Sequence, residues 1–458
     1  MRREVIGELR GIVGDDWVVE DIKLIERYLL DETAEPVRPS PSSDIVLVKP
    51  SSTEEIVEIV RLANRYRVPI FPRGGGTGLV GGCIPTSSGI VLSLERMDNI
   101  EVDRDNLMAI AEAGVTLGKL IEVAEKADLF FPAHPGDEGA FIGGLIACNA
   151  GGARAVRTGV MRNYIVGLEV VLPTSEVLSL GGKLVKNNSE YSLMHLFIGT
   201  EGTLGIITKA IIRLYPKFGA TATLIVPFNT RREAIQSVPK ILQSGIIPLA
   251  IEYVERDLVE RSAKKLGLRW PCDEGKTFLI IILAEFDQDT VYLECERIDS
   301  ICKQQGALEP LIAESRREQE EILKIRSEIY TTLKPETIDI LDVVVPPARI
   351  GDLMDMIDGI ERKYSIYIPV YGHAGDGNLH PHIMKYENWT MEQYERVKEE
   401  IYRATISLGG AISGEHGIGA IRRKYLEKYL SKTHIELIRK LKRLLDPNNI
   451  LNPGKVIP

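Results

Sequence analysis

Four glycine-rich stretches between residues 73 and 205 constrain this chain more than anything else in it. The first is Arg73-Gly74-Gly75-Gly76-Thr77-Gly78 and the second Pro135-Gly136. The third is Gly143-Gly144 with Asn149-Ala150-Gly151-Gly152, and the fourth runs from Gly199 through Glu201, Gly202 and Gly205 into Ile206. Without a Cβ, such runs let backbone N–H groups converge on an anion. Four of them between regular elements of one domain fit a long, extended cofactor touched at several points, with a pyrophosphate cradle at Arg73 to Gly78. The literal Gly-x-Gly-x-x-Gly of Gly76 to Gly81 is an accidental match to the dinucleotide fingerprint, which needs its last glycine to open a helix. Here Cys83 to Gly89 follows, and then another strand.

The surrounding pattern is α+β. Ile45 to Val48 reads as a strand, Ser52-x-x-Glu55 as a capping box, Ile56 to Tyr66 as a helix and Val68 to Phe71 as a second strand. Further strands are expected at Ile90 to Leu94, Met108 to Ala113, Leu168 to Leu172 and Gly205 to Leu214, with a helix at Leu117 to Lys126. This gives four segments: a helical lead and linker over 1–40, a nucleotide domain over 41–216, a substrate or cap domain over 217–410, and a C-terminal segment over 411–458 that returns to the first domain. After Pro216 glycine becomes sparse. Strands such as Thr223 to Val226, Ile251 to Val254 and Phe278 to Glu285 then alternate with charged helices, one of them Glu318 to Tyr330.

Composition narrows the function classes. Hydrophobic content of 44% and charged content of 26% over 458 residues describe an ordinary globular protein of two to three domains. No apolar run approaches the ~20 residues of a membrane span, and the mixed-charge start lacks a secretory signal, so a cytoplasmic protein is expected. A net charge of −9 disfavours general nucleic-acid binding. Five widely spaced cysteines without a Cys-x-x-Cys pair argue against disulfides and against an iron–sulfur cluster.

Two strings near the C-terminus carry the chemistry: His373-Ala-Gly-Asp-Gly-Asn-Leu-His380-Pro-His382 and Ser413-Gly-Glu415-His416-Gly-Ile-Gly419. The first reads as a hairpin-like reversal that brings His373 and His380 together. Two neutral imidazoles plus one carboxylate form an open divalent-metal site, with Glu415 as third ligand. His416, the neighbour of Glu415, suits general acid/base work.

In this order, the glycine clusters and histidine strings resemble flavoproteins of the vanillyl-alcohol oxidase type. They fit its glycolate oxidase flavin subunit, D-lactate and D-2-hydroxyglutarate dehydrogenase branch over about residues 41 to 458. The resemblance implies an FAD-binding domain of that type with a cap of antiparallel sheet plus helices, and FAD held by the glycine loops and Asn452. It implies His373, His380 and Glu415 as ligands of a divalent metal, zinc first with manganese or iron as alternatives, and His416 as the base. Relatives with covalent flavin carry a histidine in the first glycine loop; Gly76-Thr77-Gly78 implies non-covalent FAD. Arg326 sits where the family grips the substrate carboxylate.

Dicarboxylate-oxidising relatives have a lysine in the segment matching Asp339-Ile340-Leu341-Asp342, and the position here is Ile340. The expected reaction is therefore oxidation of a small D-2-hydroxy acid, D-lactate or glycolate, to the 2-oxo acid. Electrons would pass to an iron–sulfur or electron-transfer flavoprotein subunit, through which any membrane attachment would be made. The rival readings are a non-catalytic, flavin-carrying relay subunit and the related ether-lipid synthase chemistry.

Overall fold

The computed structural model describes residues 3–387 and 389–457, which divide into two compact units. The first holds residues up to Ala150, Val160–Lys217 and Glu415 onward; the second holds Gly151–Gly159 and Phe218–Gly414. These limits differ from the sequence-based segments because hydrogen bonding, not glycine density, decides where a stretch belongs. Residues 411–414 stay with the second unit through bridges from Val344 to Ala411 and from Asp342 to Ser413. Gly151–Gly159 joins it through Arg157, which donates to the Ala284 carbonyl at 2.9 Å and to Glu285 at 2.8 Å.

The N-terminal lead is not a separate piece. Helix Arg3–Val13 buries Val5, Ile6, Leu9 and Val13 in the apolar cluster that also contains Ile56, Val60 and Ile90. It ends well before the predicted limit, and single turns follow at Asp15–Trp17, Ile22–Ile25, Glu26–Tyr28 and Glu35–Val37.

In the first unit the strand order is Val18–Val19, Ile45–Val48, Gly89–Ser93, Ile70–Arg73, with the last three parallel. Helix Thr53–Tyr66 connects two of them. Ser52 Oγ accepts the Glu55 N–H, and the Glu55 carboxylate takes the Ser51 N–H at 2.6 Å, one residue earlier than a standard box. Its spacing buries Ile56, Val57, Ile59, Val60, Leu62 and Ala63, each large side chain contributing about 1.5–3 kcal/mol.

A five-stranded antiparallel sheet follows, in the order Ile100–Asp103, Met108–Glu112, Ile206–Arg213, Ile165–Val171, Val177–Gly181. The C-terminal tail lies beside Ile70, whose N–H donates to the Ile450 carbonyl at 2.7 Å while its carbonyl accepts the Asn452 N–H at 2.8 Å.

The second unit is built on one antiparallel sheet. Its order is Leu311–Ala313, Ala220–Phe228, Thr277–Glu285, Ala250–Glu255, Val370–His373, Asn378–Met384, Thr337–Ile340, and Val343–Val344 also pairs with Asn378–Met384. The helix expected at Glu318 to Tyr330 is interrupted at Glu328, giving Arg316–Ser327 and Ile329–Leu333. There the Glu328 carbonyl accepts both the Thr332 N–H at 2.9 Å and Thr331 Oγ1 at 3.1 Å.

At the end of strand Ala250–Glu255, the buried Glu255 carboxylate meets Arg231 Nη2 at 2.6 Å and the hydroxyls of Tyr253 and Tyr367 at 3.1 Å each. Burial pushes its pKa up to about 7 from 4.5, against the pull of Arg231. Between those pH values the folded chain holds a proton that the unfolded chain has lost, so stability falls as pH rises through the window. The full span is worth about 3 kcal/mol. Urea unfolding at pH 5 and pH 7.5 should show this decline in the wild type and a flatter profile in Glu255→Gln; equal slopes would refute it.

Candidate active site

The first unit brings residues of three of the glycine-rich stretches, with Gly139, close together. A Cβ on Gly75 would lie 2.7 Å from the Gly139 carbonyl oxygen, and one on Gly74 would lie 3.5 Å from Gly144 Cα. A Cβ on Gly202 would lie 3.3 Å from Pro72, and one on Gly199 would lie 3.5 Å from Asn149 Cβ. Asn452 closes the group, its Nδ2 donating to the carbonyls of Gly82 at 3.0 Å and Glu201 at 2.7 Å. Residues 74–88 contain no helix, so no dinucleotide fingerprint forms at Gly76 to Gly81.

Several side chains in this region serve the scaffold. Arg73 is buried and donates to the carbonyls of Leu30 at 2.7 Å and Arg27 at 2.9 Å. Glu201, whose pKa burial raises, accepts the N–H groups of Ile418 at 2.7 Å and Gly419 at 2.9 Å. It thereby pins the end of the Ser413–Gly419 string. Asn149 caps helix Ile142–Cys148 in the left-handed region and takes the Arg162 N–H at 3.0 Å. Pro135 and Gly136 lie in a loop, Gly143 and Gly144 lie in that helix, and Ile206 opens its strand. Gly151 and Gly152 fall in the second unit.

In the second unit, alternation along the sheet puts Glu252, Tyr371, His373, Asn378, His380 and His382 on one face, since Glu252 pairs with His373, His373 with Asn378, and Tyr371 with His380. The turn between the arms is closed by Asp376 Oδ1, which accepts the Asn378 N–H at 3.1 Å. The rings of His373 and His380 stand edge to face with centroids 5.3 Å apart.

His373 Nδ1 lies 2.6 Å from Glu252 Oε1, and Arg326 Nε donates to Glu252 Oε2 at 2.7 Å. Burial pushes the Glu252 carboxyl up, but Arg326 and His373 together outweigh it and hold its pKa below the ordinary value. An ionised Glu252 makes His373 Nδ1 the N–H donor and leaves the lone pair on Nε2. Arg326, expected to meet substrate, thus spends its Nε edge on Glu252, with its guanidinium 4.9 Å from the Tyr371 ring centroid. His382 is fully buried between Thr337 Oγ1 at 3.0 Å and Tyr371 Oη at 3.3 Å, a structural setting.

Asp342 organises the approach of the second string. Its side chain accepts from Asn378 Nδ2 at 3.0 Å and from Ser413 Oγ at 2.8 Å, and its carbonyl accepts the Gly414 N–H at 2.9 Å. A Cβ on Gly414 would sit 2.5 Å from Asn378 Nδ2, so only glycine permits this contact. Glu415 and His416 follow directly along the chain. Asp342, His380, Glu415 and His416 each offer one ligand atom, all within 4.8 Å of one another. Two imidazoles and two carboxylates are a donor set suited to a divalent ion. His373 is not in this group of four, and Asp342 is its unforeseen member. The sequence signal for Asp342 and Glu252 was an acid inside an otherwise apolar strand run, Ile-Leu-Asp-Val and Ile-Glu-Tyr-Val.

Residues 219–456 match the family described as FAD linked oxidases, C-terminal domain, and residues 45–181 match the FAD binding domain. The chain belongs to the FAD-linked oxidase family. It is 44% identical to a D-lactate dehydrogenase of Archaeoglobus fulgidus, over 96% of this chain and 99% of the relative. It is 39% identical to glycolate oxidase subunit GlcD of Bacillus subtilis, over 90% and 88%. Among solved structures, p-cresol methylhydroxylase with substrate bound shares the fold at a TM-score of 0.77 and 17% identity, over 99% of this chain and 96% of that one. An alkyldihydroxyacetonephosphate synthase does so at 0.77 and 22%, over 99% and 86%.

This FAD-linked oxidase is therefore an oxidoreductase of the vanillyl-alcohol oxidase fold, with FAD as its cofactor. The convergence of glycine backbone at Gly74, Gly75, Gly139 and Gly144 suits the close approach that a diphosphate requires. Among the described residues, no helix is long and apolar enough to cross a membrane.

Proposed function

We propose that this FAD-linked oxidase converts a small D-2-hydroxy acid, D-lactate or glycolate, to its 2-oxo acid, using non-covalent FAD and a divalent metal. The observation that carries the reading is the clustering of His380, Glu415, His416 and Asp342 in a family whose similar members are named D-lactate dehydrogenase and glycolate oxidase subunit. His373, through Nε2, joins His380 and Glu415 as ligands, zinc being the ion that best suits two imidazoles and a carboxylate. Asp342 holds the Asn378–Ser413 framework around them.

When bound, the metal would supply Lewis acidity to the substrate hydroxyl. FAD would supply the acceptor for the hydride that leaves Cα as the hydroxyl becomes a carbonyl. His416 takes the hydroxyl proton on a neutral imidazole nitrogen. Arg326, fixed by Glu252 on one edge, pairs with the substrate carboxylate through the other.

Ile340 is buried in its strand, and the nearby Lys398 is spent on Asp339 at 2.7 Å. That arrangement supports a monocarboxylate over a dicarboxylate. Electrons then pass to a partner protein, which suits a chain whose relative is named as an oxidase subunit.

Anaerobic mixing of the holoenzyme with a panel of D- and L-hydroxy acids tests the reading. D-lactate or glycolate should bleach the flavin, and prior metal removal should suppress bleaching. Reduction by L-acids alone, or by none of the panel, would overturn it.

A further inference from the structure

The C-terminal part of the first unit carries a charge opposite to that of the whole chain. From Arg422 to Arg443 there are nine lysines and arginines against two glutamates, in a chain of net charge −9. Two of the nine are anchors. Arg422 is buried and donates to the Gly417 carbonyl at 3.0 Å, and Lys442 is buried against the Thr203 and Leu451 carbonyls at 2.8 Å and the Asp446 carboxylate. With Ile435, Lys442 fixes one side of helix Lys432–Leu445 to its unit.

At about 100° per residue, the opposite side presents Leu437, Lys440 and Leu444 as one stripe, flanked by Arg443 and by one acid, Glu436. Leu437 is 55% exposed and Leu444 74%. Single exposed leucines are ordinary on protein surfaces; two at i and i+7 on the crest of a cationic helix form a patterned edge. The preceding helix, Arg423–Tyr429, adds the exposed Lys424 and Lys428 and is joined to the longer helix by the Arg439–Glu427 ion pair.

We propose that this face docks on an anionic lipid surface, with Leu437 and Leu444 entering the boundary between headgroups and acyl chains. Lys440 and Arg443, beside the leucines on this helix, then meet lipid phosphates. A lipid surface is favoured over an acidic protein because both leucines stand out from the helix, more than half exposed, beside the cations Lys440 and Arg443. A fluid interface receives such side chains directly, whereas a protein needs a matching groove.

Flotation of full-length holoprotein with phosphatidylcholine vesicles, with and without phosphatidylglycerol, tests this. Binding should require the anionic lipid and weaken with salt. Leu437→Gln/Leu444→Gln should lower vesicle affinity about tenfold or more while flavin content and melting temperature stay unchanged, since both side chains are exposed. Lys440→Glu/Arg443→Glu should abolish flotation. Three results would overturn the proposal: no flotation with anionic vesicles, wild-type flotation of the leucine variant, or equally tight binding to soluble polyglutamate.

Discussion

Replacing Glu252 by alanine is expected to cost about 3–5 kcal/mol of stability and to weaken divalent-metal binding by about 10-fold to 100-fold. The two losses have separate causes. Glu252 is only 2% exposed and is the counter-ion of Arg326, so its removal leaves a largely covered guanidinium, 13% exposed, without its carboxylate. It also fixes the His373 tautomer through the 2.6 Å contact at Nδ1, so its removal frees the ring to turn and to protonate the wrong nitrogen.

Urea unfolding and metal titration measure the two effects independently. The double variant Glu252→Ala/Arg326→Ala should recover part of the stability, because the orphaned charge has gone, without recovering metal affinity. A single-variant loss below about 1 kcal/mol would mean that Arg326 behaves like an exposed cation and would sink the argument.

A second large effect should separate Glu415 from His416, neighbours with equally low side-chain exposure of 13% each. If Glu415 is a ligand, Glu415→Gln removes an anionic oxygen, so metal content and activity fall together and added metal partly restores both. If His416 is the base, His416→Ala keeps most of the metal but slows flavin reduction about 10²-fold or more. It should also lose the rise of rate with pH that deprotonation of an imidazole gives. Metal loss in His416→Ala with full occupancy in Glu415→Gln would reverse the assignment. Near-normal flavin reduction in both would remove these residues from the mechanism.

The sequence by itself determined the elements whose signals are local. Ser52 and Glu55 with the apolar spacing of Ile56 to Ala63 announced a helix, and alternation marked strands such as Ile206–Arg213. The turn Gly375-Asp376-Gly377 announced the reversal between His373 and His380, because a tight turn is set by the residues inside it. Motif order also sufficed to place the chain in its family.

Tertiary structure alone decided which distant groups meet. Glu252 stands 121 residues before His373, yet strand pairing puts them side by side. Asp342 reaches the Ser413–His416 string through its bridge to Ser413, with Asn378 held against both. Arg73 and Arg326 looked like ligand-binding cations, but burial turned Arg73 to backbone carbonyls and one edge of Arg326 to Glu252. The physical reason is the same in each case. A buried charge must find a partner, and which partner lies within reach is fixed by sheet register and chain crossing, which no local spacing encodes.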